Sequence, residues 1–189
     1  MPLYTMPDQE KLFVRRVGEG EPVLVLSGLG MQSWQWLPFL FANRHKYEFI
    51  IPEWRGFGGS KNCAIPEIDA ISSHWNDVAS LIQQLKLDQF ILLGYSLGAS
   101  TAMHGMKHGG LAQKLKAYLH IDQTPKLTVD DSWQYGLFGQ KQAQFKRLLL
   151  DIQTLLLENK QAATLNDLPS NIRYKLVSLW GDFIELQNS

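Results

Sequence analysis

Four short apolar runs occur in the first two thirds of the chain, and a turn signal follows each of them. Continuous apolar runs of this length are typical of strands buried on both faces, as in parallel sheets. Stretches with helical spacing lie between them. This alternation predicts an α/β fold, a three-layer sandwich around a mostly parallel sheet. A weaker pattern, Leu12 to Val17, predicts a strand in an antiparallel edge hairpin. The four runs are Pro22 to Ser27, Glu48 to Glu53, Phe90 to Tyr95 and Ala117 to Asp122.

Two helices are predicted among these strands. Ser73 can cap the N-terminus of the first, because its hydroxyl can accept a hydrogen bond from a free backbone N–H. The second spans Ser96 to His108, is rich in small residues, and ends at the stop signal Gly109-Gly110. The apolar residues of the first helix are Trp75, Val78, Ala79, Ile82 and Leu85.

The chain changes character after Pro125. Two apolar stripes with helical spacing follow, and no strand-like run succeeds the second stripe. We therefore expect a sheet-containing core, residues 1–126, and a helical region, residues 127–189. The stripes consist of Phe145, Leu148, Leu149, Ile152 and Leu156, and of Ile172, Leu176, Leu179, Trp180 and Phe183.

Composition narrows the function classes. The 189 residues carry 18 Lys plus Arg and 18 Asp plus Glu, so the formal net charge is zero. A hydrophobic content of 45% excludes a disordered chain, and the balanced charge argues against nucleic-acid binding. One cysteine, Cys63, excludes an intramolecular disulfide and fits a reducing compartment. No apolar run reaches the length of a membrane span. Met1 to Glu10 lacks the long apolar stretch of a signal peptide. We expect a cytoplasmic protein without membrane contact, and the oligomeric state stays open.

The segment Gly94-Tyr95-Ser96-Leu97-Gly98 contains Ser96, the candidate catalytic nucleophile. It is a G-x-S-x-G motif between a predicted strand and a predicted helix, the context of a nucleophile elbow. Such a turn strains the serine backbone and exposes Oγ above the sheet. Gly94 and Gly98 are required because side chains there would strike the neighbouring strand and helix.

A serine nucleophile also needs hydrogen-bond donors for the oxyanion. The backbone N–H of Leu97, directly after the serine, is one candidate. The second is the N–H of Leu29, in the turn Ser27 to Gly30 after the first buried strand. An ordinary glycine-rich turn between a strand and a helix is the alternative interpretation of that segment.

Three segments together resemble the alpha/beta-hydrolase fold family: SGLG at Ser27 to Gly30, PEWRGFGGS at Pro52 to Ser60, and GYSLG at Gly94 to Gly98. Glu53 occupies a position where the family usually has Asp. The resemblance covers residues 10 to 126, and residues 127 to 189 look like the helical cap of this family. It implies a serine hydrolase acting on a small-molecule ester with an apolar acyl group, with no cofactor and no metal. Trp34 and Trp36 are expected to line the substrate pocket, or to serve only in packing.

The family's triad also needs an acid and a histidine. Asp122 ends the sixth strand, where some members carry the acid, although it could instead cap the following turn. The usual position of the histidine, after an eighth strand, has no counterpart here. Of the chain's histidines we keep only His120 as an outside candidate for the base. The resemblance therefore suggests a truncated hydrolase whose catalytic histidine is absent from the chain.

Two alternatives stay open. The early acid and the PEWRG loop also resemble the cofactor-free dioxygenases of this family, although that branch typically has histidine where this chain has Leu97. The other alternative is a catalytically inactive fragment, which the absent histidine favours.

Overall fold

A computed structural model of the chain describes residues 2–137, 139–162 and 164–188, with side chains up to residue 186. Parts of the predicted core and helical regions, namely Met1, Phe138, Ala163 and Ser189, lie outside the described residues. The strands are β1 Leu3–Thr5, β2 Lys11–Gly18, β3 Glu21–Leu26, β4 Tyr47–Pro52, β5 Phe90–Tyr95 and β6 Leu115–Ile121. The helices are α1 Leu37–Leu40, α2 Ala70–Gln84, α3 Leu97–His108, α4 Gln142–Glu158 and α5 Ser170–Asn188.

The six strands form one mixed sheet in the order β1-β2-β4-β3-β5-β6. Parallel pairing joins β4, β3, β5 and β6, whereas β2 is antiparallel to both β1 and β4. The predicted α/β fold with a mostly parallel sheet is therefore confirmed. The antiparallel hairpin at the edge is also present, with β1, which the sequence pattern did not reveal, as its outer strand.

The central strands are buried on both faces, as their continuous apolar runs predicted. In β3, Leu24 and Leu26 join the larger core beneath α2 and α3, whereas Val23 and Val25 face a second core. Residues of β4 and β5 also alternate between the two cores, because successive side chains of a strand point to opposite faces of the sheet. The second core is closed by Trp36 and by Leu40 of α1.

The prediction that the sixth strand is buried on both faces is wrong. Residues of β6 are half-buried or exposed, and Leu119 and Ile121 keep 45% and 38% of their surface. The physical reason is its place in the sheet, since β6 is the last strand in the order and, within the described part of the chain, pairs only with β5. Composition alone does not distinguish an edge strand from a central one.

The cap predicted for α2 is also wrong. The helix begins at Ala70, and Asp69 is its N-cap, with a carboxylate that accepts a hydrogen bond from Ser72 N–H. Ser73 lies inside the helix and is buried. The stop predicted for α3 is confirmed, since the helix ends at His108 with Gly109 as C-cap.

The chain forms two compact units, Met1–Gln123 and Thr124–Ser189. In the second unit, α4 and α5 pack on each other, with Phe145 and Phe183 ring centres 5.7 Å apart. The predicted helical character of this region is therefore present, although its role as a cap stays a prediction. No helix within the described residues is both long and apolar enough to span a membrane.

Candidate active site

Ser96 lies on a strained turn between β5 and α3. Its φ of 50° and ψ of −117° are values that residues with a side chain rarely adopt. The flanking glycines are required, as predicted. A Cβ on Gly98 would lie 2.0 Å from the carbonyl oxygen of Leu26, and a Cβ on Gly94 would lie 2.8 Å from Cα of Ala99. The segment therefore forms a strained turn between strand and helix, and its role as a nucleophile elbow stays a prediction.

The turn after β3 lies directly against the elbow. A Cβ on Gly28 would be 3.4 Å from Cβ of Ser96, which is ordinary van der Waals contact, and 3.0 Å from the ring of Tyr95, which would have to shift slightly. Among the described residues, the N–H groups of Leu29 and Leu97 have no recorded hydrogen-bond acceptor in the protein. This leaves both amides available to a ligand, and their role as oxyanion donors stays a prediction.

Asp122 lies beside Ser96 at the carboxyl ends of neighbouring parallel strands. Tyr95, the last residue of β5, is paired with Ile121, the last residue of β6. Ser96 N–H donates a 3.0 Å hydrogen bond to the Ile121 carbonyl. Ser96 and Asp122 are therefore the first residues after these two paired strands. Asp122 is exposed and has a φ of 53°. Within the described residues its carboxylate makes no recorded hydrogen bond. That observation does not support the capping interpretation, and the triad role stays a prediction.

Two tryptophans hold the turn that follows β3. The indole N–H of Trp36 donates to Ser27 Oγ, and that of Trp54 donates to the Ser27 carbonyl, both at 2.9 Å. Trp36 is buried and meets the Tyr95 ring edge-on, with ring centres 6.0 Å apart. Trp34 is 55% exposed, and its indole N–H donates to the Gln32 side chain. Trp36 thus positions the turn, a role that sequence analysis missed. The lining of a substrate pocket by Trp34 and Trp36 stays a prediction.

Comparison with known proteins agrees with this geometry. The profile of the alpha/beta hydrolase family matches residues 23–179. The chain belongs to the alpha/beta hydrolase family. It is 32% identical over 96 residues to epoxide hydrolase 2 of Siraitia grosvenorii, a match that covers 49% of this chain and 30% of that protein.

Solved structures share the fold of this alpha/beta hydrolase. An esterase from Exiguobacterium antarcticum superimposes with a TM-score of 0.63 at 22% identity, over 94% of this chain and 66% of that one. Epoxide hydrolase VrEH1 from Vigna radiata gives 0.56 at 24% identity, over 75% and 42%. The chain therefore spans about a third to two thirds of the length of these relatives.

Glu53 connects the loop that follows β4 to the segment that follows β3. Its buried carboxylate accepts hydrogen bonds from Ser33 N–H at 2.7 Å, from Ser33 Oγ–H, and from Gly59 N–H. A Cβ on Gly58 would overlap the same carboxylate, at 2.1 Å from Oε2. The sequence shows only that Glu53 stands where the family usually has Asp, because nothing in it indicates which amides the carboxylate reaches.

Arg55 in the same loop is the centre of a buried ion network. Its guanidinium donates to both carboxylate oxygens of Asp77, at 2.8 and 2.7 Å, and to the carboxylate of Asp8. It also donates to the Ala64 carbonyl. Hydrogen bonds to Asp77 and Asp8 raise the pKa of Arg55 further, and the bond from Arg55 lowers the pKa of Asp8. Sequence analysis missed this network, because its carboxylates are 22 and 47 residues away.

His120, the outside candidate for the base, is engaged elsewhere. A carbonyl oxygen only accepts, so His120 Nε2–H donates to the Gln123 carbonyl at 2.7 Å, and Nδ1 lies at hydrogen-bond distance, 2.9 Å, from the Tyr118 hydroxyl. Burial raises the pKa of Tyr118 to about 12, which keeps that hydroxyl protonated. Both ring nitrogens of His120 therefore have partners other than Ser96.

The other four histidines lie on α2, on α3 and before β4. His74 is buried in α2 and stacks on Trp54, with ring centres 4.1 Å apart, and burial lowers its pKa to about 4. His104 and His108 lie on α3, and His45 is exposed before β4. Among the described residues no histidine is recorded as bonded to Ser96 Oγ, and no cluster of three or more His, Cys, Asp or Glu is arranged to hold a metal.

Proposed function

We propose that the protein is a serine hydrolase that acts on small uncharged esters with an apolar acyl group, with Ser96 as nucleophile. The observation that carries this proposal is the strained backbone of Ser96 directly against the turn at Gly28. Strain of this kind persists only where the surrounding structure imposes it, and it is concentrated at active sites. Leu29, whose side chain is 69% exposed in that turn, favours an apolar acyl group.

In the proposed reaction Ser96 Oγ attacks the ester carbonyl carbon, and a general base takes its proton. The N–H groups of Leu29 and Leu97 donate to the oxyanion that forms. The alcohol leaves with a proton from the same base, and water then hydrolyses the acyl ester on Ser96. Asp122, the neighbour of Ser96 across the strand pair, orients the base.

None of the described histidines is placed as the general base of this reaction. His120 has partners on both nitrogens, and His74 is buried against Trp54. We therefore propose that the 189-residue chain by itself is a very poor catalyst, whose residual rate comes from substrate binding and the oxyanion donors. An oxyanion site without a complete triad still leaves roughly 10³- to 10⁴-fold acceleration over water.

A fluorophosphonate probe tests this proposal. Peptide mass spectrometry should place the label on Ser96 and not on Ser178, an exposed serine of α5 that serves as internal control. Ser96→Ala should abolish the label, and Ser178→Ala should leave it unchanged. Absence of any label from a correctly folded chain would contradict the nucleophile assignment and favour the dioxygenase or inactive alternatives.

Hydrolysis of p-nitrophenyl acetate tests the assignment of the base. The purified chain should show slow turnover that Ser96→Ala changes little. Robust turnover that Ser96→Ala removes would show that the chain does contain an effective base. If His120→Ala removed it as well, His120 would be that base.

A further inference from the structure

Two histidines face the same side of α3, away from Ser96. His104 and His108 are four residues apart, and their ring centres are 4.8 Å apart with planes inclined at 48°. His108 is exposed and His104 is half-buried. Residues at this spacing are neighbours on a helix surface, and they begin eight residues, or about 12 Å of helix rise, beyond Ser96.

The separation of the two rings matches that of a chelating pair. A transition-metal ion bound about 2.0–2.1 Å from one nitrogen of each ring lies about 3.2 Å from each ring centre. At an N–metal–N angle of about 100–110°, the ring centres are then about 5 Å apart. The observed separation of 4.8 Å is close to this value.

The surroundings also favour a cation. His108 is the last residue of α3, where the free carbonyl groups and the helix dipole attract positive charge. The carboxylate of Asp69 lies within electrostatic reach of His104. Its pKa is lowered first by hydrogen bonding from Ser72 and also by the charge of His104. Lys107 opposes the effect, because it adds a positive charge in the same turn.

We propose that His104 and His108 form a surface site for one divalent transition-metal ion, with the two imidazoles as protein ligands and water in the remaining positions. Imidazole pairs bind Cu²⁺ more tightly than Ni²⁺ or Zn²⁺, and they bind the hard ions Mg²⁺ and Ca²⁺ poorly. This site needs neither Ser96 nor the proposed hydrolase activity.

Isothermal calorimetry with CuCl₂, ZnCl₂ and MgCl₂ tests the proposal on the intact chain. Trp75 provides a second readout, because its ring packs against α3 at Gly105 and Gly109, beside the two histidines. One Cu²⁺ per chain should bind and quench tryptophan fluorescence, Zn²⁺ should bind more weakly, and Mg²⁺ should not bind. His104→Gln and His108→Gln should each weaken Cu²⁺ binding about tenfold or more, because either change ends chelation.

His45→Gln is the matched control, since His45 is exposed and lies outside α3. It should leave Cu²⁺ affinity unchanged. His45 and His108 are exposed and His104 is half-buried, and circular dichroism verifies that the variants fold. Unchanged affinity in either α3 variant would overturn the proposal. A loss of affinity in His45→Gln equal to that in the α3 variants would overturn it as well.

Discussion

Ser96 N–H donates a 3.0 Å hydrogen bond to the carbonyl oxygen of Ile121. This bond continues the pairing of β5 with β6 by one position beyond Tyr95, into the turn itself. Ser96 is the donor of this bond, and Asp122 directly follows the acceptor, Ile121. Both residues have positive φ angles, 50° and 53°. The strained turn after β5 and the turn after β6 are therefore fixed to each other by the backbone alone.

Ser96→Gly should yield a more stable protein than Ser96→Ala, by about 1 kcal/mol. Alanine keeps the Cβ that makes a φ of 50° costly, whereas glycine adopts it without strain. Urea unfolding of the two variants followed by circular dichroism measures the difference. A glycine variant less stable than the alanine variant would mean that the turn stores no strain at this residue.

Gly98→Ala should destabilise the protein by about 3 kcal/mol and prevent labelling of Ser96, because the new methyl group would overlap the Leu26 carbonyl. Gly181→Ala is the matched control, since a Cβ on Gly181 in α5 meets nothing within 4 Å. That change should stabilise its helix by roughly 0.5–1 kcal/mol. Similar effects of the two substitutions on stability would contradict the steric argument.

Folding stability should fall as the pH is lowered from about 6.5 to 4, because of His74. Burial lowers its pKa from 6.5 to about 4. Between these pH values His74 is therefore protonated in the unfolded chain and neutral in the folded protein. The loss should approach about 3 kcal/mol near pH 4 and grow no further below it. Denaturant unfolding across this range measures it.

His74→Phe is the informative control for that titration. It preserves an aromatic ring against Trp54 and removes the titrating group. The stability of this variant should therefore depend less on pH between 6.5 and 4 than that of the parent. Equal pH dependence in the two proteins would exclude His74 as the cause.

Asp77→Asn should cost about 3–5 kcal/mol, because it leaves one side of the buried Arg55 charge without its carboxylate. Asp8→Asn should cost less than about 1 kcal/mol, because the Asp8 side chain is 46% exposed and water can replace it. Thermal and urea unfolding of both variants provide the comparison. A larger effect at Asp8 than at Asp77 would contradict the burial argument.

The tight turn at Ser96 between β5 and α3 was predictable from the sequence because its requirements are local. Gly94, Ser96 and Gly98 are consecutive neighbours in one turn, and the strand before and helix after them have their own patterns. The Ser27 to Gly30 turn was predicted for the same reason. Its fixation by Trp36 and Trp54 was not, since nothing local indicates which buried carbonyl or hydroxyl an indole reaches.

By itself the sequence determined the alternation of strands and helices, the central strands and the turn at Ser96, because periodicity and turn residues act over a few neighbouring positions. Only the tertiary structure decided that β6 is an exposed edge strand, that Asp69 rather than Ser73 caps α2, and that Arg55 joins Asp8 and Asp77. It also decided that both nitrogens of His120 are occupied. These features depend on strand order and on contacts between distant segments, and such contacts follow from packing of the whole chain.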